Sequence, residues 1–289
     1  MSISSILSGL NSSIRTYNHN GASSASSIQR IATGSKYPGA SYGPASYATL
    51  QRTYSNIGAT EQAKANTQNA NAMLNTAAGA AGNTVSMLTS LRSTLLNAAN
   101  GTNGDTDLAT LQKSVDQTIA GIDENAASAT YNGKQLLDGT QSVAVQGVDG
   151  YTNVSLGNLT SQGLGLTDKD GKSTIDLTDT SSLSAALDKV DSALNTALDQ
   201  TTNIGAAQQG LGYQADNLTT QSEMLYDTAS TEGDTDIAKE SVNLASSNTL
   251  QQAALFAIKA GLQNFNQSVM GPLGGINNHS RAAAVSMLM

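Results

Sequence analysis

Apolar residues return at intervals of four and three at both ends of the chain. Near the start the row is Ile3, Leu7, Leu10, Ile14, Tyr17, Gly21, Ser24, Ile28 and Ile31. Near the end it is Leu244, Asn248, Gln251, Leu255, Ile258, Leu262, Phe265 and Val269. That spacing keeps one stripe on one face of an α-helix. Sustained over several heptads it makes a coiled-coil seam, weakened by its polar members but fixed in register by them. A third row runs Leu183, Leu187, Val190, Leu194, Ala197, Thr201, Ile204, Gln208, Leu211, Ala215, Leu218, Ser222 and Leu225. At ~1.5 Å per residue this helix is about 65 Å long. So long an element needs a bundle or a second chain beside it. Gly205, Gly210 and Gly212 weaken its middle.

The first half supplies partners for that helix. Residues 58–98 are rich in Ala, Asn and Gln, with Met73, Leu74, Val85, Leu88, Leu91 and Leu95 as apolar markers. A break follows at Asn100-Gly101-Thr102-Asn103-Gly104-Asp105. Another helix carries Leu108, Leu111, Val115, Ile119, Ile122 and Ala126, and stops before Asn132-Gly133. Val143 and Val145, then Asp149-Gly150, then Val154 and Leu156 form a hairpin pattern, with Asp-Gly as the turn. A second small strand is expected around Ile175 and Leu177. The predicted organisation is a helix over 1–33, a connecting loop over 34–57, helices over 58–138, a β-hairpin region over 139–178, the long helix over 179–235 and a last helix over 236–271. Pro272 and the Gly274-Gly275 pair should end that last helix and leave a tail, 272–289, which is expected to turn back and bury Val285 and Leu288. The fold class is mainly α: a long coiled-coil helical bundle with a small β-hairpin region.

Composition narrows the chemistry. Hydrophobic residues are 38% of the 289, but aromatics are only 4%, with no Trp and two Phe. Small apolar residues suit closely approaching helices and not a pocket lined by large side chains. The net charge of −8 and the absence of any Lys/Arg cluster argue against nucleic acid and against anionic membrane as partners. No cysteine is present, which excludes thiolate chemistry and disulfides. His19 and His279 stand apart near opposite ends, without a metal-ligand pattern. The N-terminus lacks the basic and apolar regions of a Sec signal peptide. No apolar run reaches the length of a membrane span. Taken alone this points to the cytoplasm, with secretion by a route without a cleaved peptide left open.

Asp168-Lys169-Asp170-Gly171 has part of a calcium-loop pattern, but Leu166 and Leu177 would fall at its first and last ligand positions, so it reads as a polar turn. Glu232, Asp234, Asp236 and Glu240 precede or open the last helix, where carboxylates cap free amides. No nucleophile or acid–base constellation emerges, so the expectation is a structural protein, not an enzyme, with no catalytic, cofactor-binding or metal-binding residue.

In order along the chain stand Arg30-Ile31-Ala32-Thr33-Gly34, Asn100-Gly101-Thr102-Asn103, Tyr131-Asn132-Gly133-Lys134-Gln135-Leu136-Leu137, Asp234-Thr235-Asp236-Ile237-Ala238-Lys239-Glu240 and Leu250-Gln251-Gln252-Ala253. Together, in this order, they resemble the motifs of bacterial flagellins. The first is similar to the family's Arg-Leu/Ile-x-Ser/Thr-Gly. Asn100-Gly101-Thr102-Asn103 matches its Asn-Gly-Thr-Asn, and Tyr131-Asn132-Gly133-Lys134-Gln135-Leu136-Leu137 resembles its Phe/Tyr-Asn-Gly-x-x-Leu/Ile-Leu. Near the other end, Asp234-Thr235-Asp236-Ile237-Ala238-Lys239-Glu240 and Leu250-Gln251-Gln252-Ala253 are similar to two further family stretches.

The resemblance covers roughly residues 1–271 and implies a self-assembling filament subunit serving motility. It implies that the terminal helices, 1–33 and 236–271, pair and build an inner tube. The helices over 58–138 and 179–235 would form an outer tube with the β-hairpin region packed on it. Ile3, Leu7, Leu10, Ile14, Tyr17, Ile28, Ile31, Leu244, Leu255, Ile258, Leu262, Phe265 and Val269 are then the expected filament interface. The implied location is the extracellular flagellar filament. The implied partners are other copies of the chain, an export chaperone, the type III export apparatus, the filament cap and hook-junction proteins. Three features depart from the family, the first being that its members usually end near residue 271 whereas this chain continues through Pro272-Leu273-Gly274-Gly275 to Met289. Tyr42-Gly43-Pro44-Ala45-Ser46 replaces its Asp-Asp-Ala-Ala-Gly, and only Arg92 remains of the Arg-Glu-Leu stretch read by the animal innate receptor. The competing readings are a hook–filament junction protein of the same superfamily and a flagellin-like surface protein that captures a glycan.

Overall fold

The computed structural model describes residues 3–146, 151–179 and 181–274. Five helices account for most of it: α1 (Ile3–Thr33), α2 (Pro44–Ala98), α3 (Asp105–Ser128), α4 (Leu183–Gly233) and α5 (Ile237–Gly274). Two small antiparallel hairpins lie between α3 and α4, formed by β1 (Thr130–Tyr131) with β2 (Lys134–Gln135) and by β3 (Ser142–Gln146) with β4 (Tyr151–Ser155). The chain divides into two compact units, one made of the two ends through residues 54 and from 227, the other of residues 55–226.

In the unit of residues 55–226, α2 and α4 run antiparallel. Arg92 Nε donates to Asp191 Oδ1 at 2.6 Å, Gln208 Nε2 to Asn75 Oδ1 at 2.7 Å, and Ser222 Oγ to Glu61 Oε1 at 2.6 Å. On α4 the buried row Leu183, Val190, Ala197, Ile204, Leu211 and Leu218 repeats every seven residues, along the stripe expected from the sequence. The facing row on α2 is Thr60, Ala63, Thr67, Ala70, Leu74, Ala77, Ala81, Thr84, Leu88, Leu91, Leu95 and Ala98. Ala and Thr fill many of its seam positions. Thr67 and Thr84 return their buried hydroxyls to the carbonyls of Ala63 and Ala80.

Helix α3 lies on α2 through Leu108, Val115, Ile119, Ile122 and Ala126. Asn125 Nδ2 donates to Ala80 O at 2.8 Å and to Thr84 Oγ1 at 3.0 Å. Gly104 N–H is held by Asp107 Oδ2 at 3.2 Å, closing the start of α3.

Four expectations need correction. Helix α2 begins at Pro44 and not near residue 58, so the loop expected over 34–57 covers only 34–43. Proline at a helix start gives up no hydrogen bond and has its φ already set. Tyr47, Leu50, Thr53 and Ile57 then continue the seam spacing through polar neighbours. A hairpin stands at 130–135 within the span expected to be helical; Asn132 (φ 50°) and Gly133 (φ 77°) supply its left-handed two-residue turn. Ile175 and Leu177 form no strand. They are buried anchors of an irregular segment fastened by Gln112, whose Oε1 accepts from Leu177 N–H at 2.8 Å and whose Nε2 donates to Ile175 O at 3.0 Å. Finally, α5 continues through Pro272 to Gly274. The pairing of β3 with β4 agrees with the expected hairpin; its Asp149-Gly150 turn, and the tail from residue 275, lie outside the described residues.

Candidate assembly interface

The unit formed by the two chain ends is a pair of long helices with the ends of α2 and α4. Helix α1 stops at Gly34, whose φ of 67° is the left-handed conformation that closes a helix. Helix α5 is opened by Asp236, whose Oδ1 accepts the Lys239 N–H at 3.0 Å. The chain segments leading out of α1 and into α5 are stitched together. Thr235 N–H donates to Gly34 O at 2.8 Å, Lys36 N–H to Gly233 O at 2.7 Å and Lys36 Nζ to Thr231 O at 2.8 Å. Tyr42 Oη donates to Gln29 Oε1, and its ring lies under the Arg30 guanidinium, 5.7 Å from the centroid.

Helices α1 and α5 pack antiparallel. At one end Ser27 Oγ donates to Glu240 Oε1 at 2.8 Å, and Arg30 Nη1 stands 3.6 Å from the same oxygen. Further along, Ser24 Oγ donates to Asn248 Oδ1 at 3.0 Å, and a Cβ on Gly21 would come within 3.1 Å of Gln251 Nε2. Nearer the other end a Cβ on Gly261 would touch Leu10 Cδ1 at 3.5 Å.

The buried and half-buried positions include a continuous four-three row on each helix. On α1 it is Ile6, Leu10, Ser13, Tyr17, Asn20, Ser24, Ser27 and Ile31; on α5 it is Glu240, Leu244, Ser247, Gln251, Ala254, Ile258, Gly261, Phe265 and Ser268. Half of each row coincides with the expected stripe. The other half is displaced by one residue. Ile6, Ser13 and Ser27 occupy the seam where Leu7, Ile14 and Ile28 were expected, and Ala254 and Gly261 occupy it where Leu255 and Leu262 were expected. A two-helix seam buries about two positions in seven. Each terminal helix carries apolar residues in three rows, so one row is left outside. Small residues fill much of the inside, with Ala254 and Gly261 in the α5 row, and Gly21 beside the α1 row leaves room for Gln251.

The row left outside is the informative feature. Leu7, Ile14 and Ile28 on α1 remain 50%, 40% and 54% exposed, and Leu255 and Leu262 on α5 remain 42% and 45% exposed. In an antiparallel pair the position after each displaced seam residue flanks the same side on both helices. The Ser24–Asn248 and Gly21–Gln251 contacts lie on that side. The pair therefore has an apolar edge, although Val242, Leu250 and Phe256 are exposed on other faces of α5. The opposite edge of the pair is a polar groove of about 550 Å³ lined by His19, Ser23, Ser26, Arg30, Asn243 and Ser246 among others. The side chains of Ile3 and Val269 lie outside the described residues.

The seam itself is not a dry core. Asn20 Nδ2 and Arg30 Nε are buried with no hydrogen-bond partner among the described residues, each a cost to the isolated pair. Glu240 is held ionised: hydrogen bonds from Ser27 and Asn243, with Arg30 nearby, keep its carboxyl below the usual range against the opposing effect of burial. These polar members were the part that sequence reasoning missed. A second four-three row of small residues, one position ahead of the apolar row, was the available signal.

Family models place the chain. The bacterial flagellin N-terminal helical region matches residues 6–142, and the bacterial flagellin C-terminal helical region matches residues 187–273. The chain belongs to the bacterial flagellins. It is 28% identical over 241 residues to the flagellar filament 30.7 kDa core protein of Treponema maltophilum, covering 79% of this chain and 85% of that one. It is 27% identical over 286 residues to the flagellin of Bacillus subtilis (strain 168), covering 88% and 94%.

Among solved structures, a putative flagellar hook-associated protein from Vibrio parahaemolyticus superposes with a TM-score of 0.57 at 17% identity, over 67% of this chain and 100% of that one. That likeness shows the fold alone and gives the junction-protein reading no advantage. Bacillus cereus flagellin is similar at 26% identity over 53% of this chain and 88% of that one, with a TM-score of 0.47. Family membership makes this chain a subunit of the bacterial flagellar filament, a structural role in motility.

Proposed function

We propose that this flagellin assembles through the apolar edge of its α1–α5 pair, with the seam holding the pair and the edge seating neighbouring copies. The observation that supports this most is the set of five large apolar side chains, Leu7, Ile14, Ile28, Leu255 and Leu262, left half-exposed along one side of an antiparallel pair. A surface helix buries an apolar stripe wider than a two-helix seam covers. Contacts between copies that do not close into a ring propagate as a helical filament.

On this reading the paired ends form the inner tube and the helices of residues 55–226 the tube around it. The chain travels unfolded through the type III export apparatus after a chaperone has held its C-terminal helix. It then assembles beneath the filament cap, on the hook-junction proteins, outside the cell. The physical support is that a lone terminal helix is only marginally stable in water, and that the seam keeps Asn20 and Arg30 imperfectly satisfied.

Sedimentation and negative-stain microscopy test the proposal. The full chain should form filaments, and a chain ending at Gly233 should remain soluble subunits whose α2–α4 helices persist by circular dichroism. Filaments from the shortened chain would overturn it.

A further inference from the structure

The sequence contains four Asn-Gly bonds, at Asn20, Asn100, Asn103 and Asn132. Such a bond is a chemical weak point, because glycine without a Cβ lets its backbone nitrogen approach the preceding carboxamide. The fold treats the four very differently. Asn20 is buried inside α1. Asn103 donates its amide to Asn97 O at 2.6 Å, and the following N–H, that of Gly104, is occupied by Asp107 Oδ2 at 3.2 Å. Asn132 is fixed in the left-handed turn between paired strands, Tyr131 facing Lys134, and Leu136 N–H closes onto Ala129 O at 2.9 Å just beyond. Asn132 is exposed as well, and among the described residues its carboxamide has no hydrogen-bond partner, so what sets Asn100 apart is that no strand pairing fixes its backbone. Asn100 lies exposed in the turn between α2 and α3, and among the described residues neither its carboxamide nor the Gly101 N–H has a hydrogen-bond partner. A Cβ on Gly101 would meet nothing within 4 Å, so the reacting segment has room to move.

We infer that Asn100 is a self-modification site, the position at which this flagellin deamidates as it ages. The Gly101 nitrogen forms a bond to Asn100 Cγ and releases its proton. The bond from Cγ to Nδ2 breaks and ammonia leaves. Water then opens the cyclic imide at either carbonyl, giving aspartate or isoaspartate. No oxidant, metal or enzyme enters the balance. The new carboxylate stands just past the end of α2, where it opposes the negative end of the helix dipole. The isoaspartate product also lengthens the backbone inside the turn that Asn103 N–H closes onto Asn100 O at 3.2 Å. A filament that is not renewed would accumulate this mark at an exposed turn.

Peptide mapping by mass spectrometry decides the matter. The full chain is incubated at neutral pH, once folded and once in urea, and the amide-to-acid mass gain is followed at Asn100, Asn103 and Asn132. In urea the three sites should react at similar rates. In the folded chain Asn100 should keep most of its urea rate, while Asn103 and Asn132 fall several-fold below theirs. Gly101→Ala should suppress the gain at Asn100 without changing the circular dichroism. Folding that slows Asn100 as much as the other two, or a folded chain in which Asn103 or Asn132 reacts as fast, would overturn the assignment.

Discussion

Replacing Leu255 by Asp separates folding of the subunit from its assembly. Leu255 is 42% exposed on the apolar edge, beside the buried Ala254 of the seam. In the free subunit an aspartate there still reaches water, so the pair should form and the helical signal should match the parent. In the filament the same carboxylate would be sealed against a neighbour. The exposed fractions of Leu7, Ile14, Ile28, Leu255 and Leu262 together amount to rather more than two whole side chains. At about 1.5–3 kcal/mol per fully buried side chain, covering the edge contributes about 3–7 kcal/mol per subunit. Leu255 supplies about 1 kcal/mol of that, and an unpaired buried charge costs a further ~3–5 kcal/mol. With ~1.4 kcal/mol per factor of ten, the critical concentration for polymerisation should rise by at least about a thousandfold. Sedimentation of the purified variant across a concentration series measures it. Polymerisation at the parental critical concentration would refute the edge as an interface.

Other outcomes follow from the same geometry. Limited proteolysis of the free subunit should remove α1 and α5 and leave residues 55–226, whereas in the filament both terminal helices should survive; equal resistance in the two states would contradict the marginal pairing. Glu240 has its carboxyl lowered by Ser27, Asn243 and Arg30, so its contribution to stability is present above the unfolded carboxylate range, about pH 4.3, and is lost as pH falls through the lowered folded value. The drop in subunit Tm below that range should therefore be smaller in Glu240→Gln than in the parent, by thermal melts at several pH values. Gly233→Ala should lower Tm, at a cost of about 1–3 kcal/mol, because the new Cβ would lie 2.8 Å from Leu50 Cδ1. Gly79→Ala, with nothing within 4 Å and a helical backbone, should raise subunit stability by up to about 1 kcal/mol in the same melts.

How far the sequence showed this fold depended on side-chain size. The α4 row was legible because Leu183, Val190, Ile204, Leu211 and Leu218 are large and recur every seven residues. The first part of α2 was not, because Thr53, Thr60, Ala63 and Thr67 fill its seam and carry little hydrophobic signal. Buried threonines of this kind satisfy themselves on the preceding turn, a device that apolar periodicity does not register. The terminal helices were legible as helices and as opposed stripes, but only half of each stripe, such as Leu10, Tyr17, Leu244 and Ile258, lies in the seam, while Leu7, Ile14, Leu255 and Leu262 mark the edge of the pair. Ser24, Ser27 and Asn20 won the seam because they are small and because the first two find acceptors across it. Pro272 was read as a stop, yet a proline does not always end a helix, and α5 absorbs it near its last turn.

Electron cryo-microscopy of filaments grown from the purified chain tests the central claim most directly. The account predicts that Leu7, Ile14, Leu255 and Leu262 are buried against a neighbouring copy, while the groove lined by His19, Ser26 and Asn243 stays open to water. A filament in which the apolar edge faces solvent and the polar groove carries the contacts between copies would contradict it.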